Sequence, residues 1–488
     1  MSASPGMVRP RLSEATLDAA NAGVRRPGYQ RDATRIGIVH LGAGAFHRAH
    51  QAVYVDDLLA NEPDWAICAV SLHSAATAEA LSPQDGLYTL ALLDASPQRR
   101  VIGSIREVLF AGTQQDAVLA RLADPQVRLV TLTVTEKGYC LSAEGLDTAH
   151  PDIVHDLLDP GRPRSAIGYL VAGLRARRAA GERPYTVLSC DNLADNGNRL
   201  RRATLQYAER VDPALAAWIA SQATFPCSMV DSITPATDEA LRESVGEALG
   251  LHDAWPVQRE RYTQWVLEDR FCNGRPDWER AGVTLSDDIA GYDRAKLRLL
   301  NAAHSALAYL GLLRGLQTVG QAIAHPELGP FVSALMHDIA ASTSLPPGLD
   351  PGAYIEAILQ RFRNPAVSHQ LVQIAQDGSQ KIPVRLLDTI TDALAAGRSI
   401  DALCIPVAGW LHFVRRQAWS GMALADPLAE DLHTIGRTCT GDGWHDVPEF
   451  LALPRVFGNL AADERFTAAL QRAYDEVHVA PGAARRNM

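Results

Sequence analysis

Along the first half of the chain, short apolar runs alternate with segments whose apolar residues recur at helical spacing. Ile36–Leu41 (IGIVHL) has strand length and ends in glycines, and the pattern after it turns helical, with Val53, Tyr54 and Leu58 on one inward stripe. WAICAVSL from Trp65, VRLVTLTVT from Val127 and YTVLSC from Tyr185 are further apolar or β-branched runs, separated by helix-like stretches such as AIGYLVAGLRARRAAG. Strand and helix in alternation predict a parallel sheet covered on both faces. From about residue 286 long helical patterns take over: AKLRLLNAAHSALAYLGLLRGL, AYIEAILQRF, VRLLDTITDALAAG and IPVAGWLHFVRR, with SLPPGLDPG from Ser344 as a loop. The expected organisation is an α/β domain over 1–285 followed by a mainly α-helical domain over 286–488, since 488 residues are too many for one ordinary core.

Composition excludes several classes. Apolar residues make up 47% and charged residues 21%, the balance of a globular chain, and 46 Lys plus Arg against 56 Asp plus Glu give a net charge of −10. Like charges form no block, so neither a nucleic-acid footprint nor a polybasic membrane patch is expected. No run approaches membrane-spanning length, and the opening MSASPGMVRPRLSEA lacks the apolar stretch of a signal peptide, so a cytoplasmic location is the expectation. The seven cysteines are scattered without a CxxC pair or zinc-like spacing, which reads as reduced small hydrophobes and no metal site.

Chemistry concentrates at two places. After the first strand comes Gly42-x-Gly44 at the opening of a helix, the context in which glycines let backbone approach a pyrophosphate; His47 occupies the place of the third glycine. The second strand ends in Ser71-Leu72-His73, with neither the acid that reads an NAD ribose nor an Arg for a 2′-phosphate, so this stretch does not choose between the two; NAD is the expectation, with NADP not excluded. The second place is Lys296-x4-Asn301-x2-His304 on a leucine-rich helix. At about 100° per residue the three fall within an arc of roughly 140°. Three polar groups among leucines need partners or a ligand. A desolvated lysine can move the hydroxyl proton when a ketone and an alcohol interconvert, while carboxamide and imidazole hold the oxygen. The plain alternative is a snorkelling Lys, a capping Asn and a core His. Asn192, after the strand YTVLSC, is a second carboxamide at a strand's carboxyl end, or simply a turn residue.

Taken with VHLGAGAFHRAHQA, LTVTEKGYC, VLSCDNLADNG, TFPCSMVDSITP, QWVLEDRFCNGRPDW, KLRLLNAAH and IAQDGSQKIPVRLLD, the chain resembles the long-chain mannitol dehydrogenase family of polyol and sugar-acid dehydrogenases over nearly its whole length. The resemblance implies an expanded Rossmann-type domain followed by a helical one, no zinc, and a monomer or weak homo-oligomer acting on a small molecule. It implies Lys296 as acid/base, Asn192 and Asn301 as oxyanion hole, His304 on the substrate oxygen, and Asp231 positioning substrate or lysine. Gly42, Ala43, Gly44, Ala45 and Phe46 would line the cofactor. Gln373 stands where the mannitol-oxidising branch carries an Arg, and QDGSQKIPVRLLD and TEKGY look like the fructuronate reductase branch. A uronate or aldonate carboxylate needs cations, for which Lys137, Lys381 and Arg385 are candidates. Reduction of D-fructuronate to D-mannonate by NADH is thus the first expectation. Polyol oxidation, of mannitol or arabinitol, is the second. A catalytically silent NAD-binding sensor is a third, against which the Lys296, Asn301 and His304 set argues.

Overall fold

The structure, a computed structural model, describes residues 9–94 and 98–477; the first residues of the opening segment read above, and the ends of both expected domains, lie outside them. The chain divides into two compact units between Ala290 and Gly291.

In the first unit five strands form a parallel sheet in the order Ile105–Phe110, Ala66–Ser71, Ile36–Leu41, Leu129–Leu132, Thr186–Ser189. That is third, second, first, fourth, fifth along the chain, the order of the first five strands of a dinucleotide-binding sheet, with its switch point between Ile36–Leu41 and Leu129–Leu132. The strands read as near-continuous apolar runs because helices cover both faces. Val39, Leu41, Val130 and Leu132 are fully buried, and Val53, Tyr54 and Leu58 point inward as their spacing predicts. The helix Ala166–Ala179 starts where Ser165 caps Gly168 N–H. Two three-stranded sheets flank this core; one pairs Ser228–Asp231 antiparallel with Gln264–Leu267, opposing Asp231 to Gln264.

Asn196 locks that flanking strand to the sheet. Its Oδ1 accepts from Ser228 N–H at 3.0 Å while its Nδ2 donates to the Ser228 carbonyl at 2.9 Å and the Asp191 carbonyl at 3.2 Å. The carboxyl end of Thr186–Ser189 and the start of Ser228–Asp231 therefore share one buried side chain.

The second unit is helical. Its first long helix runs Ile289–Ala295, Lys296–Asn301 and Ala302–Leu313, and the middle segment is a π turn. This corrects the continuous α-helix expected from spacing: a π turn pairs i with i+5, so one extra residue enters the turn. The helix Gly378–Ile382, Pro383–Leu387, Asp388–Ala395 is built in the same way, and Pro383 supplies the reason, because it has no N–H to give to the regular ladder. The two π turns pack against each other. The 20-residue helix Asp401–Ser420 buttresses Ala302–Leu313, and Glu464–Glu476 packs against it in turn. The loop expected at Ser344 lies between helices Leu328–Ala341 and Pro351–Phe362.

Replacing Asn196 by Ala strands the Ser228 N–H and carbonyl in the interior, at a cost of about 2–4 kcal/mol of unfolding free energy. Urea titration of the Asn196→Ala protein should show that loss as a lowered midpoint.

Candidate active site

The glycine turn is built from both sides. Gly42 has φ +96°, and a Cβ there would stand 2.1 Å from the Thr133 carbonyl oxygen, so only glycine fits. Its carbonyl accepts from the Thr133 hydroxyl at 2.8 Å, and the ring of His40 spans the hydroxyls of Thr131 and Thr133, both at 2.8 Å. His47, in the third glycine's place, lies flat on His40 with centroids 3.3 Å apart. Burial drives the pKa of His40 down to about 3 and that of His47 well below its ordinary value, so both rings are neutral. Gly44 is exposed, and a Cβ there would find nothing nearer than the Gly42 carbonyl oxygen at 3.8 Å. Ala45 and Phe46 are half-buried, while Ala43 is buried in the core.

At the carboxyl ends of the fourth and fifth strands, Asp191 does the joining. Its carboxylate accepts from the N–H groups of Val134 and Thr135 at 2.9 and 3.2 Å and from the Tyr139 hydroxyl at 2.7 Å. Burial raises its pKa, and those three donors oppose the rise. They hold the loop that carries exposed Lys137, in which Thr135 adopts φ +63°, a strained value for a β-branched residue. Asn192, next to Asp191, is exposed, and Asp231 is 7% exposed at the end of its strand.

In the second unit the π turn carries Lys296 at its first residue and Asn301 at its last. With i to i+5 pairing these two come closer around the helix axis than the about 140° of a regular helix. Lys296 and Asn301 are half-buried, with Leu299 and Leu300 buried between them and Leu297 partly exposed. Asp293, one turn before Lys296, was not singled out by the sequence reading. Burial pushes its carboxyl up to about 6, against the pull of the Lys296 charge. Its sequence signal was the acid three places before the lysine.

His304 is buried against Phe362 and His369, ring centroids 4.7 and 5.2 Å away. Burial lowers its pKa far below the ordinary range, and the charges of Arg361, His369 and Arg385 act in the same direction. Arg361 and His369 are further residues that sequence spacing did not reveal. Arg385 reaches the same helix, donating from Nη1 to Ser305 Oγ at 3.0 Å and to the Asn301 carbonyl at 3.3 Å. Lys381 stands 3.7 Å from the Asp377 carboxylate and donates to the Ile374 carbonyl at 3.5 Å; burial, then Arg385, lowers its pKa. The fold thus gathers Lys296, Asn301, His304, Lys381 and Arg385 in one unit. Gly42 to Phe46, Lys137, Asn192 and Asp231 belong to the other. Among the described residues no group of three or more His, Cys, Asp or Glu is arranged to hold a metal ion, all seven cysteines are free, and no helix is long and apolar enough to cross a membrane.

Residues 36–280 match the family model of the mannitol dehydrogenase Rossmann domain, and residues 288–478 match that of the mannitol dehydrogenase C-terminal domain. The chain belongs to the mannitol dehydrogenase family. It is 40% identical to the D-mannonate oxidoreductase of Escherichia coli (strain K12) over 474 residues, 95% of this chain and 97% of that one. Two solved structures are similar along nearly the whole chain. A D-sorbitol dehydrogenase in substrate-free form has a TM-score of 0.88 at 34% identity, covering 95% of this chain and 96% of that one. The Pseudomonas fluorescens mannitol 2-dehydrogenase, in ternary complex with NAD and D-mannitol, has a TM-score of 0.75 at 38% identity with the same coverage. Like its relatives in the mannitol dehydrogenase family, the chain is an oxidoreductase.

The raised carboxyl of Asp293 gives a pH signature. Between about 4 and about 6 the folded chain keeps a proton that the unfolded chain has released, so this group's contribution to stability falls as pH rises through that window and is level above it. Asp293→Asn removes the titration. Urea midpoints should show the variant gaining on the parent from pH 4 to pH 6, with no further gain by pH 8.

Proposed function

We propose that the protein is an NAD(P)-dependent, secondary-alcohol dehydrogenase of sugar acids, reducing a keto-uronate such as D-fructuronate to D-mannonate with NADH, and reversible. The observation that carries the acid assignment is the charge around His304. Beside burial, the positive charges of Arg361 and Arg385 act on its ring, while His369 is itself held toward its neutral form, and a substrate carboxylate is the anion such a pair of cations attracts. The name of the Escherichia coli relative agrees.

The glycine turn fits a dinucleotide. Gly42 is forced into its conformation, Gly44 leaves open space where any other residue would place a side chain, and a helix begins at Ala45. Gly42, Ala43, Gly44 and Ala45 would hold the cofactor by their backbone, with Phe46 beside it. When bound, NAD(P) supplies or takes the hydride at the carbinol carbon. Lys296 then gives the proton to the carbonyl oxygen in reduction and takes it back in oxidation. The carboxamides of Asn301 and Asn192 are assigned to the charge that grows on that oxygen, and neutral His304 is a further hydrogen-bonding partner for it. Asp231 positions substrate or lysine. Lys381 and Lys137 are the amines assigned to the carboxylate, while Arg385, engaged with Asn301 and Ser305, adds only the field of its charge.

A polyol reading is favoured by the names of the two similar solved structures, a D-sorbitol dehydrogenase and a mannitol 2-dehydrogenase, and by Asp377, which already partners Lys381 and leaves less cationic charge for an acid. Steady-state oxidation rates separate the two. D-mannonate should exceed D-mannitol in kcat/KM by roughly tenfold or more, and the opposite order would assign the enzyme to polyols. Lys296→Ala should lose about 10²–10⁴ in turnover while its affinity for nicotinamide cofactor, measured by fluorescence titration, stays near that of the parent. Near-normal turnover would remove the amine from the mechanism.

A further inference from the structure

The π turn that carries Lys296 and Asn301 has a built-in weakness. Where pairing returns from i+5 to the regular i+4 ladder the helix changes phase, so small backbone rotations there re-aim the side chain at the junction. Asn301 is the residue at that junction. Its carbonyl accepts from Arg385 Nη1 at 3.3 Å, and the same nitrogen donates to the hydroxyl of Ser305, one α turn further on, at 3.0 Å. One planar cation therefore bridges two successive levels of the helix from the side. Arg385 is itself delivered by the second π turn, Pro383–Leu387, two residues after the proline that disrupts that helix. Among the described residues no carboxylate lies within ion-pair distance of Arg385, so backbone and hydroxyl oxygens are its hydrogen-bonding partners.

Carboxamide donors help an oxyanion only when they are fixed before charge develops. We infer that Arg385 is a positioning residue: by clamping the Asn301 carbonyl and Ser305 it sets the direction of the Asn301 carboxamide. This rests on the oxyanion role proposed above for Asn301. It differs from a role in reading the substrate carboxylate, which would act on acids alone and without Asn301.

A double-mutant cycle tests it on the full-length protein, with D-mannonate and D-mannitol as paired substrates and circular dichroism to confirm folding. Arg385→Ala should lower kcat by roughly tenfold to a hundredfold on whichever substrates the parent turns over, with KM nearly unchanged. Arg385→Lys, which keeps one donor to the carbonyl, should recover part of the loss, and Ser305→Ala should cause a smaller one. In an Asn301→Ala background, Arg385→Ala should have little further effect, since the group it directs is gone. Additive losses, or a rise in KM confined to the acid, would overturn the positioning role. If Arg385→Ala does not fold, Arg385→Lys and Ser305→Ala carry the same cycle. Preference for mannitol by the parent would sink the acid assignment and leave this cycle readable. A fully active Asn301→Ala protein would remove the oxyanion role itself.

Discussion

A guanidinium held inside an apolar helical unit must find hydrogen-bond acceptors, and Arg385 finds them on a different helix, at the Asn301 carbonyl and the Ser305 hydroxyl. That requirement ties the second unit together. Proline at 383 spoils one ladder, the π turn it produces carries Arg385, and Arg385 stabilises the junction of the other π turn. Lys296, Asn301 and His304 can then sit on a helix whose remaining positions are filled by buried Leu299, Leu300 and Leu307.

The same burial sorts the titratable groups by charge state. Desolvation favours the neutral form whichever way the group ionises, so Asp293 is pushed up while His304 and His369 are pushed down. Arginine resists, because its guanidinium stays protonated in any protein environment. Around His304 the fixed charge is accordingly that of Arg361 and Arg385.

Much of the architecture was legible in the residues. Ile36–Leu41 forms over its predicted span, and the long helical patterns of the second half are helices, because buried parallel strands and long helices leave different apolar periods. The strand Ile105–Phe110 was not seen, since Arg106 and Glu107 interrupt its apolar run at the sheet edge. The π turn at Lys296 was invisible for a different reason: with leucines on most faces, the rotation from one inserted residue leaves no break in the apolar pattern, and no proline or glycine marks it. Asp293, Arg361 and His369 are ordinary surface types whose meaning depends on burial, which spacing does not report. His47 looked like a defect in a glycine fingerprint until its stacking on His40 showed what fills the space.

Asp191 has a further consequence. One carboxylate fastens the turn around Thr135 and, through its own backbone, abuts the segment held by Asn196. The two loops that end the fourth and fifth strands are thereby a single mechanical part. Evolution cannot lengthen or reshape the one bearing Lys137 to suit a new sugar while leaving the one bearing Asn192 untouched. Variation in substrate range among chains built this way should therefore be found elsewhere, on walls that are free to drift one residue at a time.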